Sequence, residues 1–244
     1  MGMPITVEIA ESSAQAADIE AVFAYFTYVD DKFSTYKVTS EISLLNRKRL
    51  KFYRASPDMK LVFALAQQTK EETNGYFDIA RNGHYDPSGI VKGWAIYNAS
   101  AILRSRGFQN FYVDAGGDIQ ADGKNPDAQN WRVGIRNPFN LNQIVKVLSI
   151  SNLGVATSGN YVRGSHIYNP KQPDPLSTEI VSLTVIGPNI YEADRFATAA
   201  FAMGRDGIGF IEGLDGFEGY MIDNAGLATF TSGFERYVID GEVH

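Results

Sequence analysis

Apolar and polar residues alternate through ITVEI at positions 5–9, which predicts a strand. The period then lengthens. Ile19, Val22, Phe23, Phe26 and Val29 recur at intervals of three and four, the spacing of one helix face. Ser56 reads as an N-cap with Pro57 at the first helical position, and Gly75 stands where that second helix would end. Ile90, Val91, Trp94 and Ala95 predict a third helix over about 90–104. From Phe108 to Ser182 the pattern changes to short β-rich pieces, FYVDAGG, WRVGI, VKVLSI and GVATSG, separated by Gly, Asn and Pro turns. VSLTVIG at 181–187 predicts another strand, followed by a helix from about Glu192 to Met203. The tail pieces GFEGYMID, GLATF and ERYVID predict a meander of strands. Helices and strands are partly segregated, so the expected class is α+β. KQPDPLST at 171–178 is the best loop candidate. No repeat, low-complexity tract or polar linker marks a boundary, and 1–244 reads as a single domain.

Composition narrows the function classes. The chain has 244 residues and 44% hydrophobic content, enough to bury a sizeable core. Its 22 Lys and Arg stand against 28 Asp and Glu, for a formal charge of -6, and no basic block occurs. Sequence-independent binding to nucleic acid or to anionic lipid is therefore not expected. The absence of cysteine excludes disulfides, thiolate metal sites and a cysteine nucleophile. Three histidines are too few for a His-rich metal site. The opening MGMPITVEIAES lacks a basic stretch followed by an apolar one, and no run reaches membrane-spanning length. The expectation is a soluble, cytoplasmic protein with no membrane insertion.

Several segments could carry chemistry. DPSGIVKG at 86–93 is a turn into a helix, capped by Asp86 or Ser88; equally it can expose backbone N–H groups to an anion beside Lys92. In EADRFATAA at 192–200, Asp194 and Thr198 lie four apart and project from one helix face. They offer two hard oxygen ligands of the kind Mg²⁺ takes together with phosphate oxygens; alternatively Asp194 caps the helix and Thr198 bonds back to a carbonyl. ATSGNYVRGSHIYNP at 156–170 places His166, a general base or a structural histidine, near Arg163. YFDIA at 76–80 and DAGGD at 114–118 add an aromatic residue, carboxylates and two adjacent glycines suited to tight backbone geometry. No Walker loop or dinucleotide fingerprint is present in its strand and helix context.

Five pieces occur in a telling order: MG at 1–2, FSTYKVTSEISLLNR at 33–47, GYFDI then DPSGIVKGWAI at 75–96, DAGGDI at 114–119, and TSGNYVRGSHIYNP followed by ADRFATAAFAMG at 193–204. Together they resemble the ApbE family of FAD:protein FMN transferases, over nearly the whole chain. The resemblance implies an ApbE-like, T-fold-like α+β domain of mixed or antiparallel sheets with packed helices. It implies Mg²⁺ held by the Gly89 carbonyl, Asp194 and Thr198, and FAD, as substrate, bound by Met1, Tyr36, Tyr76, Phe77, Asp78, Asp86, Lys92 and Ile167. His166 matches the family's HI motif and is the implied catalytic proton carrier. The implied reaction moves FMN from FAD onto a Thr or Ser hydroxyl of an acceptor flavoprotein and releases AMP. With water as acceptor the same site would hydrolyse FAD to FMN and AMP, and a non-catalytic FAD-binding module is the third reading. Two departures bear on acceptor binding and turnover: only NYVRGS separates the SG motif from His166, where the family usually has an extended hairpin, and Asn169 stands where the family commonly has Asp.

Overall fold

The computed structural model describes residues 2–159, 167–172 and 179–239. Its centre is a seven-stranded sheet in the order β1 (Ile5–Ile9), β4 (Phe111–Ala115), β5 (Asp118–Asp122), β8 (Leu153–Gly159), β9 (Ile180–Gly187), β10 (Glu218–Asp223) and β11 (Ala228–Phe230). Every neighbouring pair in it is antiparallel. A separate antiparallel hairpin pairs β6 (Trp131–Asn137) with β7 (Asn140–Ile150), and a small one pairs β2 (Ala80–Arg81) with β3 (His84–Tyr85). The helices are α1 (Ala16–Phe33), α2 (Glu41–Asn46), α3 (Pro57–Glu72), α4 (Ser88–Ser105), α5 (Ile190–Ala202) and α6 (Gly207–Glu212).

Alternation along the strands divides the interior into two cores. Phe111 and Val113 of β4, Leu183 and Val185 of β9, and Met221 of β10 face the helical layer, where they meet Val22 and Phe26 of α1, Ile96 and Leu103 of α4, and Phe201 of α5. On the other face Ile119 of β5, Val155 of β8 and Tyr220 and Ile222 of β10 pack against Trp131, Val133 and Leu148 of the β6–β7 hairpin. Helices thus cover one side of the sheet and a hairpin covers the other, the α+β arrangement expected.

The local rules hold in most places. Ser56 Oγ accepts from Met59 N at 3.3 Å, and Gly75 leaves α3 at φ +82°, a conformation for which glycine has no steric cost. Three expectations need correction. Phe23 is 42% exposed, although Val22, Phe26 and Val29 around it are buried, because the apolar stripe on α1 is narrower than the run of apolar residues. ERYVID is not a strand: Phe234–Tyr237 forms a 3₁₀ turn, leaving one bridge between Leu148 and Val238. The Phe234 ring, fully buried, stacks on Tyr220, while Glu218 takes Gly233 N and the Arg236 guanidinium; these contacts curl the chain instead of extending it. α4 and α5 each begin two residues earlier than predicted, at Ser88 and Ile190. The loop candidate at 171–178 falls for the most part, from 173 onward, outside the described residues.

Candidate active site

One cavity of about 480 Å³ opens where the start of α4 and the middle of α5 meet the β4–β5 turn and the end of β8. Its position follows from close packing of α4 on α5. A Cβ on Gly93 would lie 2.6 Å from Asp194 Cβ and 2.8 Å from the Ile190 carbonyl oxygen, so only glycine permits the approach. Gly154 of β8 has the same role under α5, where a Cβ would stand 2.1 Å from Ile190 N. Arg195, 4% exposed, anchors α5 from its other side through ion pairs with Glu192 and with Glu72 of α3.

Asp194 does not cap its helix. Asn189 does, its side chain accepting from Glu192 N at 3.0 Å, and Asp194 lies one turn inside, 2% exposed. Its Oδ2 accepts from Gly93 N at 2.7 Å, and its Oδ1 lies 3.6 Å from Lys92 Nζ. Burial pushes the Asp194 carboxyl up to about 7; the Lys92 ammonium pulls it down, and the neighbouring Asp118 pushes it up again. Thr198 Oγ1 does not bond back along α5 but turns to the Gly89 carbonyl of α4, at 3.3 Å. A Cβ on Gly89 would press on Thr198 Cγ2 at 3.0 Å and on Phe77 at 3.2 Å, which explains the glycine.

The DPSGIVKG turn behaves as its composition suggests, with one difference. The N-cap is Pro87 rather than Asp86 or Ser88, and Asp86 Oδ1 accepts from Ser88 N at 3.0 Å. Lys92 then projects from the first turns of α4 and pairs with Asp118 of β5. The β4–β5 turn that delivers Asp118 is made of Gly116 and Gly117, at φ +68° and +95°, and Ala115 pairs with Asp118 across it. Two consecutive positive φ angles are what a two-residue hairpin of this kind demands. Asp118 is 1% exposed and its Oδ1 accepts from Thr157 N at 3.1 Å.

The cavity wall includes Tyr76, Phe77, Asp78, Asp86, Gly89, Lys92, Ile167, Asp194 and Thr198, all singled out in the sequence. Tyr76 carries the Lys171 ammonium 4.1 Å from its ring centroid, and Asp78 is held by Lys70 at 2.6 Å. Tyr36 does not reach the wall: it stands 95% exposed between α1 and α2, on a loop held by Lys37 to Asp30 and Asp31 and by Ser40 Oγ to the Ser34 carbonyl. Met1 and His166 lie outside the described residues, although Gly2, Met3 and Ile167 beside them line the cavity. Asp118, Thr157, Tyr168 and Arg136 join the wall without having been assigned a role. For Asp118 the signal was present in a carboxylate next to a Gly-Gly turn; Arg136 comes from the hairpin on the far side of the sheet, and no local pattern announced it.

Among the described residues, five carboxyl groups, Asp78, Asp86, Asp114, Asp118 and Asp194, face the cavity with two cations, Lys92 and Arg136. Such a wall repels an anionic ligand unless further positive charge enters with it. Among the described residues no three His, Asp or Glu side chains converge as a ready metal cage. The oxygens of Asp194, Thr198 and Gly89 are nevertheless hard donors gathered from two packed helices, and an ammonium already lies at Asp194. This donor set fits a divalent cation that completes its coordination with ligand oxygens and water.

The chain resembles known proteins in sequence and in fold. The chain is 33% identical to the FAD:protein FMN transferase of Vibrio cholerae over 132 residues, 50% of this chain and 40% of that protein. It is 28% identical to that of Haemophilus influenzae over 166 residues, 63% of this chain and 48% of the relative. The chain therefore spans about half the length of the curated relatives it matches. Among solved structures, the flavin transferase ApbE from Vibrio cholerae superposes with a TM-score of 0.84 at 24% identity, covering 97% of this chain and 96% of that one. The ApbE protein of Thermotoga maritima gives 0.86 at 20% identity, covering 98% and 97%. The family model described as "ApbE family" matches residues 1–84 and 81–221, a span that contains every element of the cavity wall, and the chain belongs to the ApbE family.

Proposed function

We propose that the chain is a Mg²⁺-dependent FAD:protein FMN transferase, which moves FMN from FAD to a Thr or Ser hydroxyl of an acceptor flavoprotein and releases AMP. The observation that carries this reading is the buried group of Asp194, Lys92 and Asp118 at the wall of a cavity of about 480 Å³, beside the Gly89 and Thr198 oxygens. Asp194, Thr198 and the Gly89 carbonyl would hold the metal. Bound there, Mg²⁺ would supply positive charge to offset that of the pyrophosphate.

The chain's own residues do the rest. Tyr76, Phe77 and Ile167 give the cavity an apolar and aromatic wall for the flavin ring, and Lys92 offers an ammonium to the phosphates. The acceptor hydroxyl oxygen forms a bond to the FMN phosphorus, the bond from that phosphorus to the AMP oxygen breaks, and the hydroxyl proton passes to His166. The relatives' names and the family assignment support the reaction class. The span 1–244 is proposed to act as one functional domain, supported by a helix-side core that joins Met3 and Val22 to Met221 and by a cavity that joins Gly2 to Thr198.

The test is mass spectrometry of a threonine-bearing acceptor protein incubated with the chain, FAD and Mg²⁺. An added FMN phosphodiester on the threonine is the expected product. AMP release with no modified acceptor would make the protein an FAD hydrolase, and intact FAD throughout would make it a binding module.

A further inference from the structure

Lys92 lies where a metal ion would be expected. Asp118 and Asp194 are each fixed by a backbone donor, Thr157 N at 3.1 Å from Asp118 Oδ1 and Gly93 N at 2.7 Å from Asp194 Oδ2. Their remaining oxygens, Asp118 Oδ2 and Asp194 Oδ1, both face Lys92 Nζ; it pairs with the first and lies 3.6 Å from the second. Asp118 Oδ2 is buried and has no hydrogen-bond partner among the described residues other than this ionic contact. The two carboxylate side chains are 2% and 3% exposed and cannot turn away without losing their backbone donors. Lys92 is 16% exposed, lines the cavity, and carries its charge on a four-carbon stem that can swing.

We propose that the Lys92 ammonium is a resident counter-ion for Asp118 and Asp194, that a divalent cation entering at Asp194 displaces it, and that it then turns to the phosphates of the dinucleotide. With both carboxylates ionised, one ammonium neutralises only one of the two charges, whereas a divalent cation matches both. Two cations cannot share so small a buried space, since like charges at contact distance repel strongly in a low-dielectric site. Lys92 therefore opposes metal binding in the absence of nucleotide and favours it once phosphate oxygens are there to receive the ammonium. Positive coupling between metal and FAD follows, and it runs through this one side chain. The inference rests on the metal site proposed above.

The experiment titrates Mn²⁺ alone into wild type, Lys92→Met and Asp194→Asn, reading free ion by electron paramagnetic resonance, with and without FAD. Without nucleotide, Lys92→Met is expected to bind Mn²⁺ at least about fivefold more tightly than wild type, the low end of the range for linked sites. FAD should tighten Mn²⁺ binding in wild type and do so far less in Lys92→Met. Unchanged or weaker Mn²⁺ binding in Lys92→Met, or undiminished coupling, overturns the proposal while leaving the metal site standing. Absence of Mn²⁺ binding in wild type even with FAD present, or equal binding in wild type and Asp194→Asn, removes the metal site and this inference with it. If Lys92→Met does not fold, Lys92→Gln, neutral but still able to donate to Asp118, takes its place with the same expected direction.

Discussion

Gly93 and Asp194 touch across the α4–α5 crossing, with Gly93 N donating to Asp194 Oδ2 at 2.7 Å and no room for a Cβ between them. Substituting Gly93 by Ala gains helix propensity, worth about 1 kcal/mol at most. It also drives a methyl to 2.6 Å from Asp194 Cβ and 2.8 Å from a backbone oxygen, neither of which is a flexible chain end. Overpacking of that kind costs about 1–3 kcal/mol. Gly93→Ala is expected to lower the thermal midpoint by several degrees, measured by differential scanning calorimetry, and to weaken divalent-cation binding as Asp194 shifts. A variant as stable as wild type would mean that the two helices are free to separate.

Asp194→Asn separates charge from shape. The amide oxygen can still accept from Gly93 N, and the helix retains Asn189 as its cap. Loss of Mg²⁺-dependent AMP release with a preserved circular dichroism spectrum is the expected result. Turnover and Mg²⁺ dependence equal to wild type would show that the carboxylate charge has no part in the site.

The raised Asp194 carboxyl sets a pH dependence. Burial pushes it from an ordinary 3.8 to about 7, so between those values the folded chain holds a proton that the unfolded chain has released. Its contribution to metal-free stability is complete below about pH 4 and is lost as pH rises through about 7. Metal binding needs the ionised form, so Mn²⁺ affinity should fall by up to about tenfold per pH unit below 7, and this dependence should flatten in Asp194→Asn. Calorimetric titrations at three pH values about one unit apart and bracketing the raised value would check it.

Binding and turnover should divide by residue. Lys92→Ala is expected to weaken FAD binding, read by flavin fluorescence. His166→Ala is expected to lower turnover by about 10²-fold to 10⁴-fold, as is typical for loss of a general base, while FAD remains bound. Equal loss of FAD binding in both variants would remove the proton-transfer role assigned to His166.

Glu41 supplies a stability test away from the site. It accepts from Ser56 N at 2.5 Å, Ser56 Oγ at 2.7 Å and Lys32 Nζ at 3.2 Å, joining α1, α2 and the start of α3. Burial pushes its carboxyl up, but these donors outweigh burial and hold it below the ordinary 4.5. Its contribution is therefore present above about pH 4.5 and lost as pH falls through the lowered value. Glu41→Gln should cost about 1–3 kcal/mol in urea unfolding at neutral pH. The gap from wild type should narrow in acid.

Several features could be read from local sequence because their causes are local. The period of ITVEI, the Ser56-Pro57 start of α3, the Gly-Gly turn before Asp118, and the i, i+4 placement of Asp194 and Thr198 depend on backbone sterics and side-chain spacing within a few residues. The ordered motifs also identified the family and most of the cavity wall. The short helices α2 and α6 carry too few turns to impress a period on the sequence, and the tail turned at Phe234 because a buried ring stack outweighed β propensity. Only the tertiary structure placed Asp194 inside its helix rather than at the cap, left Tyr36 in solvent, and brought Lys92 between two carboxylates from β5 and α5. Those outcomes depend on residues as far apart as Gly93 and Asp194, whose contact is set by how closely two helices can pack.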